Sequence, residues 1–159
     1  PYAPLPLSLY REGVRVRLTG YRVHPDLARY KTGNYLPYRL ALEEARKEGA
    51  FEGLLLDAFR HAVDGSRTSP LPSRAGPPYL FREGTLYLLE GGLEGITREK
   101  VAEAARGLGL RVERGLFRPE GLRGHLLLAG SGVGLLPVGP PPAELLPLIE
   151  RFLPACYTE

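Results

Sequence analysis

The polar and apolar positions of this chain fall into short blocks of two alternating periods. Val14-Arg15-Val16-Arg17-Leu18 alternates apolar and basic side chains, the period of a half-buried strand, and Arg22 and Val23 continue it beyond Gly20. Leu36 to Glu48 follows the helical period, with Pro37 in the first turn, where its missing N–H is harmless, and Gly49 as a C-terminal stop. Glu43 and Lys47 stand i, i+4 on its polar side. Glu52-Gly53-Leu54-Leu55-Leu56-Asp57 is the continuous apolar run of a buried strand. From Gly65 to Pro78 the residues are Ser, Pro, Gly and Arg, the composition of a long loop. Tyr79 to Phe81 and Thr85 to Leu89 predict a hairpin around Arg82-Glu83-Gly84.

The second half continues the alternation. Thr97 is placed as the N-cap of a helix running to about Leu108, with Val101, Ala104, Ala105 and Leu108 on its buried face. Leu110 to Phe117 and Leu126 to Ala129 are expected strands. A glycine loop, Gly130 to Gly134, leads into Leu135-Leu136-Pro137-Val138. Pro142 to Leu153 is expected to be helical and interrupted at Pro147. Strands interleaved with helices predict a mixed α and β domain. The opening from Pro1 to Leu7 carries three prolines, so residues 1–12 are expected to be a linker leading into a domain over 13–159.

Composition narrows the function classes. The chain has 159 residues, 43% apolar and 25% charged, enough for one ordinary core. A net charge of +3 is too mild to call for nucleic acid. The apolar runs are too short to span a bilayer and no charged-then-apolar leader opens the chain, so a cytoplasmic location with no membrane partner is expected. One cysteine, Cys156, and three scattered histidines give no support to a disulfide or a metal site. The chain begins at Pro1 and contains no methionine, from which an additional N-terminal part is expected. Of 21 basic residues only three are lysine, with a single Asn and no Gln; scarcity of Asn, Gln, Cys and Met fits a heat-adapted source, and a GC-rich genome would bias composition the same way.

Against the scarcity of lysine, Lys31-Thr32-Gly33-Asn34-Tyr35-Leu36 stands out at the mouth of a helix. A capped turn with an exposed lysine is the plain reading, and the only one that Lys47 and Lys100 call for on their polar helix faces. A lysine held in a pocket beside a tyrosine can instead form a Schiff base with an aldehyde and move protons. Asp64-Gly65-Ser66 reads as turn chemistry, or as a carboxylate paired with a cationic ring nitrogen. Gly95-Ile96-Thr97 turns into a helix whose free N–H groups favour a phosphate, though simple capping gives the same residues. No long helix follows the Gly130–Gly134 loop, so a dinucleotide fingerprint is rejected, while a glycine nest with Ser131 can still hold phosphate oxygens. Together these are the parts of a pyridoxal phosphate site.

In order and spacing these segments resemble the class IV aminotransferases, the fold-type IV pyridoxal phosphate enzymes. Lys31-Thr32-Gly33-Asn34-Tyr35-Leu36 is similar to the family's Lys-x-x-Asn-Tyr-Leu motif, Asp64-Gly65-Ser66 to its Glu-Gly-Ser turn, Gly95-Ile96-Thr97-Arg98 to its Gly-Ile-Thr-Arg signature, and Ser131 through Pro137-Val138 to its closing loop before Pro-Val. The resemblance spans about Arg22 to Val138. It implies the large C-terminal domain of the D-amino-acid aminotransferase-like fold, with a small N-terminal domain apparently missing.

The resemblance also implies roles. Lys31 would carry pyridoxal 5'-phosphate as a Schiff base and shuttle the proton. Tyr35 would bond the ring hydroxyl oxygen, and Asp64 would face the pyridine nitrogen. Ile96 and Thr97, through their N–H groups and the threonine hydroxyl, and Ser131 would bind the phosphate. The wording is closest to the aminodeoxychorismate lyases, which release pyruvate and leave 4-aminobenzoate for folate synthesis. A branched-chain or D-amino-acid aminotransferase is the alternative, and a non-catalytic relative the second. A small-molecule substrate and a homodimer are implied in either enzyme. Departures from the family pattern are Asp64 where Glu is usual, Arg60 where a glycine is usual, Ser69-Pro70-Leu71 after the Gly-Ser turn, and no acidic residue around Gly124-His125.

Overall fold

The structure is a computed structural model and describes residues 5–22, 36–56, 62–65, 78–90, 96–130, 133–154 and 157. Among the described residues, eight strands form two sheets. Strands β1 (Val16–Arg22), β2 (Glu52–Leu56) and β3 (Ala62–Gly65) make a three-stranded sheet in that order, β1 and β2 parallel and β2 and β3 antiparallel. Strands β4 (Tyr79–Arg82), β5 (Thr85–Leu89), β6 (Arg111–Gly115), β7 (His125–Gly130) and β8 (Gly134–Pro137) make a five-stranded sheet in the order β6-β5-β4-β7-β8. Four helices complete the described chain: α1 (Leu7–Glu12), α2 (Leu36–Lys47), α3 (Ile96–Gly107) and α4 (Leu146–Arg151).

The main core lies where α1, α3 and α4 cover the five-stranded sheet. Val101, Ala102, Ala104 and Ala105 of α3, with Leu148 and Ile149 of α4, pack with Leu86, Leu88, Leu127 and Leu135 of the strands. Each fully buried leucine contributes roughly 2–3 kcal/mol by removal from water. Helix α2 covers the smaller sheet through Tyr38 and Ala41 against Leu55. Close approach there depends on Gly53: a Cβ at that position would stand 2.7 Å from the Ala41 carbonyl oxygen and 2.8 Å from the Thr19 methyl. Arg17 of β1 reaches Glu44 at 3.1 Å and Glu48 at 2.8 Å, joining strand to helix. The outer strand β6 carries Arg111, Glu113 and Arg114, charges suited to an unpaired sheet edge.

The hairpin, the helix from Leu36, the buried strand from Glu52 and the Gly49 stop stand as expected, Gly49 with φ +73°. Five readings change. Residues from Leu7 are helical rather than extended, and Tyr10 of that helix is buried. Residues 62–65 form a strand, because Asp64 and Gly65 pair with Leu55 and Leu54. Thr97 is the second residue of α3, not its cap. Leu108 is exposed, since α3 stops at Gly107 and Ala102 takes the buried place. Pro147 sits in the first turn of α4, where proline lacks no needed N–H, and so starts that helix instead of interrupting it. On α2 the ion pair of Glu43 is with Arg39, at 3.5 Å.

Candidate active site

The strand directions decide where the candidate residues meet. Strands β5, β6 and β7 run one way and β4 and β8 the other. The C-terminal ends of β5, β6 and β7 therefore share one end of the sheet with the starts of β4 and β8. Helix α3 follows the connection that leaves β5 there, and the β7–β8 turn opens there, two strands from β5. Two inter-strand spacings are about 10 Å. The start of β3 comes to the same end: the Ala62 N–H donates to the Phe117 carbonyl at 2.8 Å, just past β6, and Ala62 packs with Leu80 and Leu89.

Three of the six candidate positions thus have described backbone. Asp64 lies on β3 opposite Leu55. Ile96 and Thr97 open α3, where the first N–H groups have no partner within the helix and the helix dipole is positive. The Thr97 side chain is half-buried. Lys31, Tyr35 and Ser131 lie outside the described residues. The residues flanking Ser131 are held from two sides, however. The Tyr10 hydroxyl donates to the Val133 carbonyl, and Gly134, with φ +79°, lies so close to Phe152 that a Cβ would stand 2.1 Å from its carbonyl oxygen.

The start of α3 is held as firmly. Arg98, 6% exposed, donates from Nη2 to the Leu89 carbonyl at 2.5 Å, tying the first helical turn to the end of β5. Arg114 of β6 meets Glu99 at 2.7 Å on the outer side of the same turn. Tyr79, at the start of β4, is buried beneath it; burial pushes its phenol far above the usual value of 10.0, the Arg98 charge opposes that rise and Glu99 adds to it. Sequence reasoning gave no role to Arg98, Tyr79 or Tyr10. Arg98 was visible only as the last letter of a signature, and Tyr10 stood in a proline-rich stretch.

The start of α3 offers helix-start N–H groups and the half-buried Thr97 side chain, the kinds of donor that favour an anion. No group of three or more metal-ligating side chains occurs among the described residues, and no described helix is long and apolar enough to cross a membrane.

Comparison with known proteins bears on the same residues. The family described as amino-transferase class IV matches residues 1–139. Among curated proteins, the branched-chain-amino-acid aminotransferase of Pseudomonas aeruginosa is 30% identical over 117 residues, 69% of this chain and 36% of that protein. The Escherichia coli K12 protein of the same name is 30% identical over 108 residues, 67% of this chain and 33% of the relative. The chain therefore spans about a third of the length of these relatives. Among solved structures, one provisionally named 4-amino-4-deoxychorismate lyase is 92% identical, with a TM-score of 0.89 over 99% of this chain and 61% of that one. The branched-chain aminotransferase of the thermophilic archaeon Thermoproteus uzoniensis, solved with norvaline, is 28% identical, with a TM-score of 0.76 over 94% of this chain and 53% of that one. A branched-chain amino acid aminotransferase solved with pyridoxamine 5'-phosphate is also 28% identical, with a TM-score of 0.79 over 95% of this chain and 53% of that one.

Proposed function

This chain belongs to the class IV aminotransferase family, and we propose that it is the cofactor-binding part of a pyridoxal 5'-phosphate-dependent 4-amino-4-deoxychorismate lyase. The observation that carries the proposal is the 92% identity to a structure bearing that name. Pyridoxal 5'-phosphate is the family's cofactor. The reaction would release pyruvate and leave 4-aminobenzoate, a folate precursor, in the cytoplasm of a heat-adapted organism. Residues 13–159 would form the cofactor-binding domain of a homodimeric enzyme, with residues 1–12 leading into it and a small N-terminal domain completing the pocket.

The bound cofactor supplies an electron sink for the carbon from which a proton is removed. The chain's own residues supply the rest. Lys31 would hold the cofactor covalently and carry the proton to and from the substrate. Tyr35 would donate to the ring oxygen. Asp64 would keep the ring nitrogen protonated by charge pairing. Ile96 and Thr97 at the start of α3, with Ser131, would bind the phosphate and so orient the ring. Support for the last role is the shared end of the sheet at which α3 and the β7–β8 turn begin.

The curated relatives favour a second reading, a branched-chain aminotransferase. Incubating the full-length holoenzyme with 4-amino-4-deoxychorismate separates the two. The lyase reading expects 4-aminobenzoate and pyruvate in equal amounts with no oxo acid added as amino acceptor. Glutamate made from leucine and 2-oxoglutarate, with no 4-aminobenzoate, would support the aminotransferase. Neither product from the loaded enzyme would leave a non-catalytic relative.

A further inference from the structure

The connection from β6 to β7, residues 116–124, lies against the sheet face opposite the helices, where Phe117 and Leu122 pack with Leu80, Tyr87 and Leu89. It is pressed on that face at both ends. A Cβ at Gly115 would stand 2.9 Å from Cε2 of Phe117, and one at Gly124, with φ +126°, would stand 2.5 Å from the Phe81 carbonyl oxygen. Arg82 of β4 clamps the stretch between. Its Nη1 donates to the Gly121 carbonyl at 3.2 Å and to the Arg123 carbonyl at 3.5 Å. Its guanidinium carbon lies 5.5 Å from the centre of the Tyr87 ring and 5.9 Å from that of Phe117, and the two rings meet edge to face at 5.3 Å. A cation over aromatic faces is attracted by their quadrupoles, more so where water is partly excluded.

The clamped segment reaches one further element. The Phe117 carbonyl accepts from the Ala62 N–H at 2.8 Å, at the start of β3. Strand β3 is the outer strand of the smaller sheet, and its register shifts there: Ala62 pairs with Leu56 and Asp64 with Leu55. Two steps along β3 thus match one along β2, the count of a β-bulge. A bulge in an edge strand sets how the next side chain is aimed, and a slip of one residue reverses it. The contact with Phe117 fixes Ala62 from outside the β2–β3 ladder, immediately before that shift.

We propose that Arg82 is a positioning residue for Asp64: by clamping residues 116–124 to the sheet it holds the Phe117 carbonyl on Ala62, and so fixes the phase in which β3 presents Asp64 to the cofactor ring. This inference rests on the role proposed for Asp64 above and deepens it. Arg82 acts through the backbone of β3 and has no contact with the reacting atoms.

Amide hydrogen exchange in the full-length apoprotein tests the clamp, and turnover of 4-amino-4-deoxychorismate by the holoenzyme tests its effect on Asp64. Arg82→Met keeps the aliphatic stem and removes the cation with its N–H donors. It is expected to speed exchange at the Ala62 N–H about tenfold and leave the β5 amides protected. It should lower kcat about tenfold with KM nearly unchanged. Added to Asp64→Ala, itself slow, Arg82→Met should lower kcat no further, because both changes act through one group. Arg82→Lys returns a cation to the rings and should recover part of each loss. Phe117→Leu keeps the carbonyl and removes one ring from the clamp; it is the second variant should Arg82→Met not fold, and the same pattern is expected. Unchanged exchange at Ala62, or an equal loss of kcat with and without Asp64, overturns the proposal. If Asp64→Ala turns over as fast as the parent, the role of Asp64 fails and takes the proposal with it, a result distinct from additive losses on a slow Asp64→Ala chain.

Discussion

Thr97 illustrates what a single side chain would do at the proposed site. Placed second in α3, it has no cap to make for its own helix, so its half-buried hydroxyl is available to an anion. A hydrogen bond to a charged group contributes about 1.5–3 kcal/mol. Thr97→Ala should therefore weaken pyridoxal 5'-phosphate binding by about tenfold or more and leave the melting temperature of the apoprotein nearly unchanged; titration calorimetry on both chains measures this. On the proposed reading Asp64 acts at a different step. Asp64→Ala should slow turnover strongly while covalent attachment at Lys31 persists, which single-turnover absorbance separates from loss of cofactor. Equal turnover in the two chains would reduce Asp64 to a turn residue. Tyr79 gives a pH effect whose sign follows from its burial. The folded phenol titrates above its unfolded value, so its contribution to stability is intact below pH of about 10 and is lost as pH rises through the folded value. Urea denaturation in the alkaline range should fall less steeply for Tyr79→Phe than for the parent chain. The start of a helix near Thr97 is legible from the glycine that precedes it in sequence, although Thr97 is the second residue of that helix and not its cap. The burial of Arg98 is not legible in the sequence, because arginine in a helix normally faces water, whereas here Nη2 reaches inward to the Leu89 carbonyl.

At the scale of elements, glycine and proline read well where the rule is local and poorly where a neighbour decides. Gly49 ends α2 through its own left-handed backbone, and the sequence suffices to say so. Strand β3 was missed because Asp64 and Gly65 carry turn composition, and pairing with β2 overrides it. Pro147 starts α4 instead of breaking a helix, because the boundary at Leu146 is set by packing of Leu145, Leu148 and Ile149 into the core. Helix α1 is hard to read because prolines precede it closely, although Tyr10 reaches Val133 across 123 residues of sequence. The β7–β8 hairpin depends on such long-range support. Gly134→Ala would drive a Cβ against the Phe152 carbonyl and force a side chain into a left-handed backbone, costing about 2 kcal/mol or more. Chemical denaturation should show that loss, with a parallel loss of phosphate affinity if Ser131, which falls between β7 and β8 in sequence, has its proposed role. Tyr10→Phe keeps the ring in the core and removes one hydrogen bond, for a loss of about 1 kcal/mol.

For the whole molecule, the start of α3 and the start of β3 come to one end of the five-stranded sheet, and the proposed chemistry belongs at that end. That arrangement suits an enzyme whose pocket is completed by neighbouring parts, and a twofold dimer of the full-length protein is expected by light scattering at micromolar concentration; a monomer alone would contradict it. The mixed α and β class and the main core were legible from alternating periods, whereas the sheet order β6-β5-β4-β7-β8 was not, since it depends on contacts between distant strands. The central claim is that a cofactor aldehyde is held by one particular lysine among three. Borohydride reduction of the full-length holoenzyme, followed by peptide mass mapping, tests it directly. The account predicts a phosphopyridoxyl group on Lys31 and none on Lys47 or Lys100. An adduct confined to either of those two, or no adduct at all on a cofactor-saturated protein, would contradict it.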